Sequence, residues 1–101
     1  MSNDESVMAE RVKLSVASLT IADCTALAEN IRHALAEGSS VLLDLGDCQE
    51  VDTAGLQLLL IIQNDPDVNL RVHWSKPSET VAVKANKLGL MSWINAGFVE
   101  N

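Results

Sequence analysis

Val41-Leu42-Leu43-Asp44-Leu45, followed after a polar stretch by Val51-Asp52-Thr53-Ala54-Gly55-Leu56-Gln57-Leu58-Leu59-Leu60-Ile61-Ile62-Gln63, is the part of the chain that decides the fold. A short, nearly continuous apolar run bounded by Ser39-Ser40 and Gly46 has the pattern of a strand in the middle of a sheet, where both faces are covered. The core is expected to centre there. The second run is too apolar for periodicity to separate helix from strand. Its Asp-Thr start, its Leu/Gln-rich composition and its length predict a helix over residues 55–63.

Working outward toward the N-terminus, Cys24, Leu27, Ala28, Ile31, Ala34 and Leu35 recur three and four apart, with Glu29, Asn30, Arg32, His33 and Glu37 on the other side. That is an amphipathic helix, with Thr20 or Asp23 available to cap its start and Gly38 to close its end. Before it, Val12, Leu14 and Val16 alternate with Arg11, Lys13 and Ser15, as in a strand with one wet face. Residues 1–10 are polar and acidic and read as a loose lead-in.

Toward the C-terminus, Asn64-Asp65-Pro66-Asp67 signals a turn, and Val68, Leu70, Val72 and Trp74 alternate as a third strand. Pro77-Ser78-Glu79 opens a third helix with Val81, Ala85 and Leu88 as its buried stripe and Gly89 as its stop. Met91, Trp93, Ile94 and Phe98 are expected to pack as a helical turn and a closing strand at the sheet edge. Strand and helix therefore alternate, which defines an α/β sheet with right-handed crossover helices.

The sequence is 101 residues long, 48% hydrophobic and 21% charged, which suits one globular domain spanning 1–101. Its longest apolar run, Leu58–Ile62, falls far short of the roughly 20 residues of a membrane span, and Met1–Glu5 has no signal-peptide character. Cys24 and Cys48 lie in no metal-binding or redox spacing and are expected as reduced thiols in a cytoplasmic protein. A net charge of −7, from seven basic and fourteen acidic residues, repels phosphate backbones and anionic headgroups, so neither nucleic acid nor a membrane surface is an expected direct partner.

Little suggests catalysis. His33 and His73 are isolated, no Ser/His/Asp or Cys/His arrangement is present, and there is no glycine-rich phosphate loop. No catalytic residue, cofactor or metal is expected. Asp44, Asp47, Glu50 and Asp52 are numerous enough to suggest a magnesium-dependent, receiver-like phosphoryl-accepting module using Asp44 or Asp52, with Lys76 as its lysine, or else a solvated acidic loop.

Asp52, Thr53, Ala54 and Gly55 admit two readings. They place a hydroxyl and a carboxylate beyond the end of the central strand, where α/β sheets keep their sites. Equally, Asp52 or Thr53 serves only as an N-cap and Gly55 relieves crowding. The following helix repeats the choice. Leu56, Leu59 and Leu60 can face the sheet, but Leu58, Ile61 and Ile62 spread round the helix, forming either a docking patch or a surface covered by the third helix or a homodimer. The site expected under the docking reading is the stripe Thr53, Gln57 and Ile61.

Val41–Leu45 followed by Val51-Asp52-Thr53-Ala54-Gly55-Leu56 resembles the signature of the STAS family, the sulphate transporter and anti-sigma-factor antagonist domains. Leu19–Asp23 before the first helix and Lys87–Leu90 after the third extend the likeness. The resemblance implies an α/β fold with a mixed β-sheet of four to five strands and crossover helices. It also implies a non-catalytic, partner-switching module that docks a cytoplasmic regulatory protein: an anti-sigma or switch kinase, a chemotaxis component, or the ATPase of a lipid-transporting ABC system. In the antagonists a kinase modifies the second hydroxyl residue of Asp-Ser-Ser-Gly. The matching position here is Ala54, with Thr53 one place earlier.

Overall fold

The computed structural model describes residues 10–99, so most of the lead-in expected over 1–10 lies outside the described residues. Among them five strands and four helices follow in order: β1 Arg11–Ser15, β2 Ser18–Leu19, α1 Ile21–Ala36, β3 Ser40–Asp44, β4 Glu50–Val51, α2 Thr53–Asn64, β5 Val72–Trp74, α3 Glu79–Lys87 and α4 Met91–Gly97. The α/β class is as expected. The strands form two sheets, β1-β3-β5 and β2-β4, and every ladder is parallel.

β3 is central because its residues Val41, Leu42 and Leu43 are buried on both faces, paired with β1 on one side and β5 on the other. Parallel pairing requires crossovers, which α1 and α2 provide. β1 is an edge strand, and its alternation of exposed and half-buried residues is the wet-faced pattern of its sequence. The core joins Leu43, Leu45, Leu56, Leu59, Val72, Trp74, Val81 and Ile94, all fully buried. Cys48 is buried among them and Cys24 half-buried, both as free thiols, and burial pushes both thiols up from their ordinary pKa. Trp74 donates its indole N–H to the Ile94 carbonyl at 2.8 Å, which fixes α4 against β5.

Gly38 (φ +88°) and Gly89 (φ +72°) close α1 and α3 in the left-handed region, where other residues are strained. Several boundaries differ from expectation. The run Val68–Leu70 is not strand: the Asp65 carbonyl accepts the Val68 and Asn69 N–H groups, and the Asp65 carboxylate accepts that of Asp67 at 2.9 Å. This turn uses the donors a ladder would need, leaves Leu70 exposed, and shortens β5 to three residues. Leu88 is also exposed, because α3 has already ended there and the core is filled by Val81 and Ala85. Trp93 points outward while its neighbour Ile94 takes the buried face of α4. The closing strand reduces to a single parallel bridge, Trp74 to Phe98.

Candidate functional site

β2 and β4 are short, yet they set the site. Their register, Ser18 opposite Glu50 and Leu19 opposite Val51, brings the residues before α1 beside those before α2. Two helix starts therefore lie side by side, each with backbone N–H groups that have no partner within its own helix.

Two carboxylates satisfy them. Asp23 turns back to accept from the Thr20 N–H at 2.9 Å, the Thr20 hydroxyl at 2.8 Å and the Ser18 hydroxyl at 2.7 Å. The Ser18 bond, followed by those from Thr20, holds its carboxyl below the ordinary carboxylate range. Asp52 serves both helices: one oxygen accepts the Ile21 N–H of α1 at 3.0 Å and the other the Gly55 N–H of α2 at 2.9 Å. Those two bonds, Ile21 first, lower its pKa, with a smaller contribution from the Lys84 ammonium on α3. Each charge also sits at the positive end of a helix dipole.

The N-cap of α2 is thus Asp52, and the helix begins at Thr53, earlier than residue 55. Thr53 is left exposed at the first helical position, with no role in the cap. Gly55 is buried because the turn presses on β2: a methyl group there would overlap the Leu19 carbonyl oxygen and lie 2.8 Å from Leu19 Cγ. Ala54 is half-buried, and its carbonyl lies 3.8 Å from the Cys24 sulphur.

Beyond the turn, Leu56, Leu59 and Ile62 face inward and Leu58 and Leu60 are half-buried. Leu60 and Ile62 exchange the places expected of them, since the inner face follows a spacing of three. Gln57 is exposed and Ile61 is 64% exposed, and with Thr53 they make one line along the helix. Ile21 is 72% exposed at the start of α1, and its N–H is the one that Asp52 accepts. It was not among the expected site residues, and no spacing in the sequence marks it as exposed.

The other acidic residues are placed differently. Asp44 accepts the Gly46 N–H at 3.1 Å and the Ser75 hydroxyl at 3.3 Å, with Lys13 3.6 Å away. The Gly46 bond is the main cause of its lowered pKa. Asp47 and Glu50 are exposed, as is Lys76. Among the described residues no three His, Cys, Asp or Glu side chains gather at metal-binding distance.

The site thus sits in a parallel α/β domain where Asp52 ties two helix starts together and Thr53 lies exposed. The family model described as "Mlab, STAS domain" matches residues 3–91, most of the sequence, and the chain belongs to the STAS domain family. No curated protein and no solved structure matches it. No helix among the described residues is long and apolar enough to cross a membrane.

Proposed function

We propose that the chain is a non-catalytic docking module of the anti-sigma-factor antagonist type, which binds a cytoplasmic signalling partner through Asp52–Gly55 and the outer face of α2. The observation that carries this reading is the composition of that face. From Thr53 to Asn64 the helix has no charged residue, yet Thr53, Gln57 and Ile61 are exposed along it. Solvent-facing helices are ordinarily charged, whereas the centres of protein interfaces are depleted of charge and rich in apolar groups. Asp52 supports the same reading, since its two oxygens are taken up by the Ile21 and Gly55 N–H groups and the threonine beside it stays exposed.

Ala54, at the position modified in the antagonists, has no hydroxyl, so Thr53 carries the one hydroxyl of Asp52–Gly55 at which a kinase-switched form is tested. Acid-stable phosphate on Thr53 in phosphopeptide mass spectrometry is the expected mark of a kinase-switched form. The partner is an anti-sigma or switch kinase, a chemotaxis component or a transporter ATPase, and co-purification with each of these encoded beside the gene separates them. Thr53→Glu combined with Ile61→Asp is expected to abolish that co-purification while the circular dichroism melt stays nearly unchanged. Full retention of the partner by the folded double variant removes the reading.

A further inference from the structure

α3 packs against β4, and a cavity of about 460 Å³ lies between them. Val51 lines it from β4, directly before Asp52 and Thr53, while Thr80, Val83, Lys84 and Lys87 line it from α3 at the spacing of one helical face. Lys84 is half-buried there and Lys87 is exposed. Among the described residues neither lysine makes an ion pair. The Lys84 ammonium is nevertheless near enough to Asp52 to help hold its carboxyl below the ordinary range, a contribution that Lys87 does not make.

The other charges around Thr53 are already placed. α2 has none of its own. Asp23 is held by the Ser18 and Thr20 donors, and Asp52 by the Ile21 and Gly55 N–H groups. Glu50 points to the opposite face of β4 from Val51 and accepts the Ser18 hydroxyl at 3.3 Å. Glu79 stands at the other end of α3, five residues before Lys84.

We propose that Lys84 is the counter-ion for a phosphate on Thr53, so that the modified turn is tied to α3. The inference rests on the docking reading above in its kinase-switched form, and names the residue that receives the added charge. A helix start ordinarily offers its N–H groups to a phosphate. Here Asp52 already takes that of Gly55, and its carboxylate repels a second anion. The phosphate therefore needs a cation from outside α2, and a lysine suits it, with a flexible stem and three donors. The phosphoryl group comes from a nucleoside triphosphate on the kinase. The bond from its terminal phosphorus to Thr53 Oγ forms, the bond to the departing diphosphate breaks, and the hydroxyl proton passes to the kinase.

The test uses the full chain synthesised with phosphothreonine at position 53, and phosphorus NMR follows the second ionisation of the phosphate, ordinarily near pH ~6. A cation beside the phosphate favours its dianion and lowers that pKa. Lys84→Gln is expected to raise it by about 0.5 or more, Lys84→Arg to leave it near the parent value, and Lys87→Gln to move it much less. In urea, where Lys84 is no longer held near Thr53, the effect of Lys84→Gln is expected to disappear. Amide spectra matching the parent's show that each variant is folded.

An unmoved pKa in folded Lys84→Gln overturns the proposal. So do equal effects of Lys84→Gln and Lys87→Gln, which mean a diffuse basic field, and an effect that persists in urea. No partner enters the titration, so the two readings fail separately. Loss of the partner on Thr53→Glu with Ile61→Asp, together with no effect of Lys84→Gln, removes the pairing and leaves the docking reading standing. Retention of the partner by that double variant removes the docking reading whatever the titration gives.

Discussion

Gly55→Ala tests whether the turn at Asp52 is built as described. Gly55 is the third residue of α2, and an added methyl group would lie 2.7 Å from the Leu19 carbonyl carbon and 2.8 Å from Leu19 Cγ, overlapping the carbonyl oxygen as well. That carbonyl already accepts the Asp52 N–H at 3.2 Å, so it is held by the β2-β4 pairing and has little room to rotate. The start of α2 must back away by on the order of 1 Å. Overpacking against fixed backbone costs about 3 kcal/mol, at the upper end of its usual range. Alanine in place of glycine returns about 1 kcal/mol of helix propensity. The net loss is about 2 kcal/mol, or a fall of roughly 8–16 °C in the melting temperature of a domain this size. Thermal and urea denaturation followed by circular dichroism measure it. A variant as stable as the parent would refute the close approach of α2 to β2, and with it the geometry that exposes Thr53.

Acid titration gives a second test. Asp52 and Asp23 have lowered carboxyl pKa values, so the stability they contribute is present above the unfolded value of 3.8 and is lost as the pH falls through the lower folded values. Stability is therefore expected to hold from neutral pH down to that value and to fall below it. Asp52→Asn is expected to flatten the fall, and an unchanged acid profile would contradict the double capping. Trp74→Phe removes the buried bond to the Ile94 carbonyl and is expected to cost about 1–3 kcal/mol in urea titration, with α4 loosened in hydrogen exchange. A neutral effect would mean that α4 is held by apolar packing alone.

Periodicity made the main elements legible because it reports burial directly. Val41–Leu43 read as a central strand and lie buried on both faces, and Val12 and Leu14 read as a half-covered strand and lie at the sheet edge. Gly38 and Gly89 ended their helices because few other residues tolerate the left-handed backbone. Val68 and Leu70 alternated as convincingly, but the Asp65-Pro66 turn took their hydrogen bonds first, a local competition that alternation does not register. β2 and β4 were invisible because a two-residue strand has too few positions to show a period.

The sequence by itself determined which residues bear the candidate chemistry, since Asp52, Thr53 and an uncharged helix are properties of composition and order. Only the tertiary structure decided what each residue is free to do. Asp52 proves to be occupied because its second bond goes to Ile21, distant in sequence and brought near by the β2-β4 register. Thr53 is left exposed at the start of α2, and Ala28 and Ile61 border one groove, because α1 and α2 pack side by side. A helical period limits how each helix turns its faces, but which second helix lies against it is settled by long-range packing.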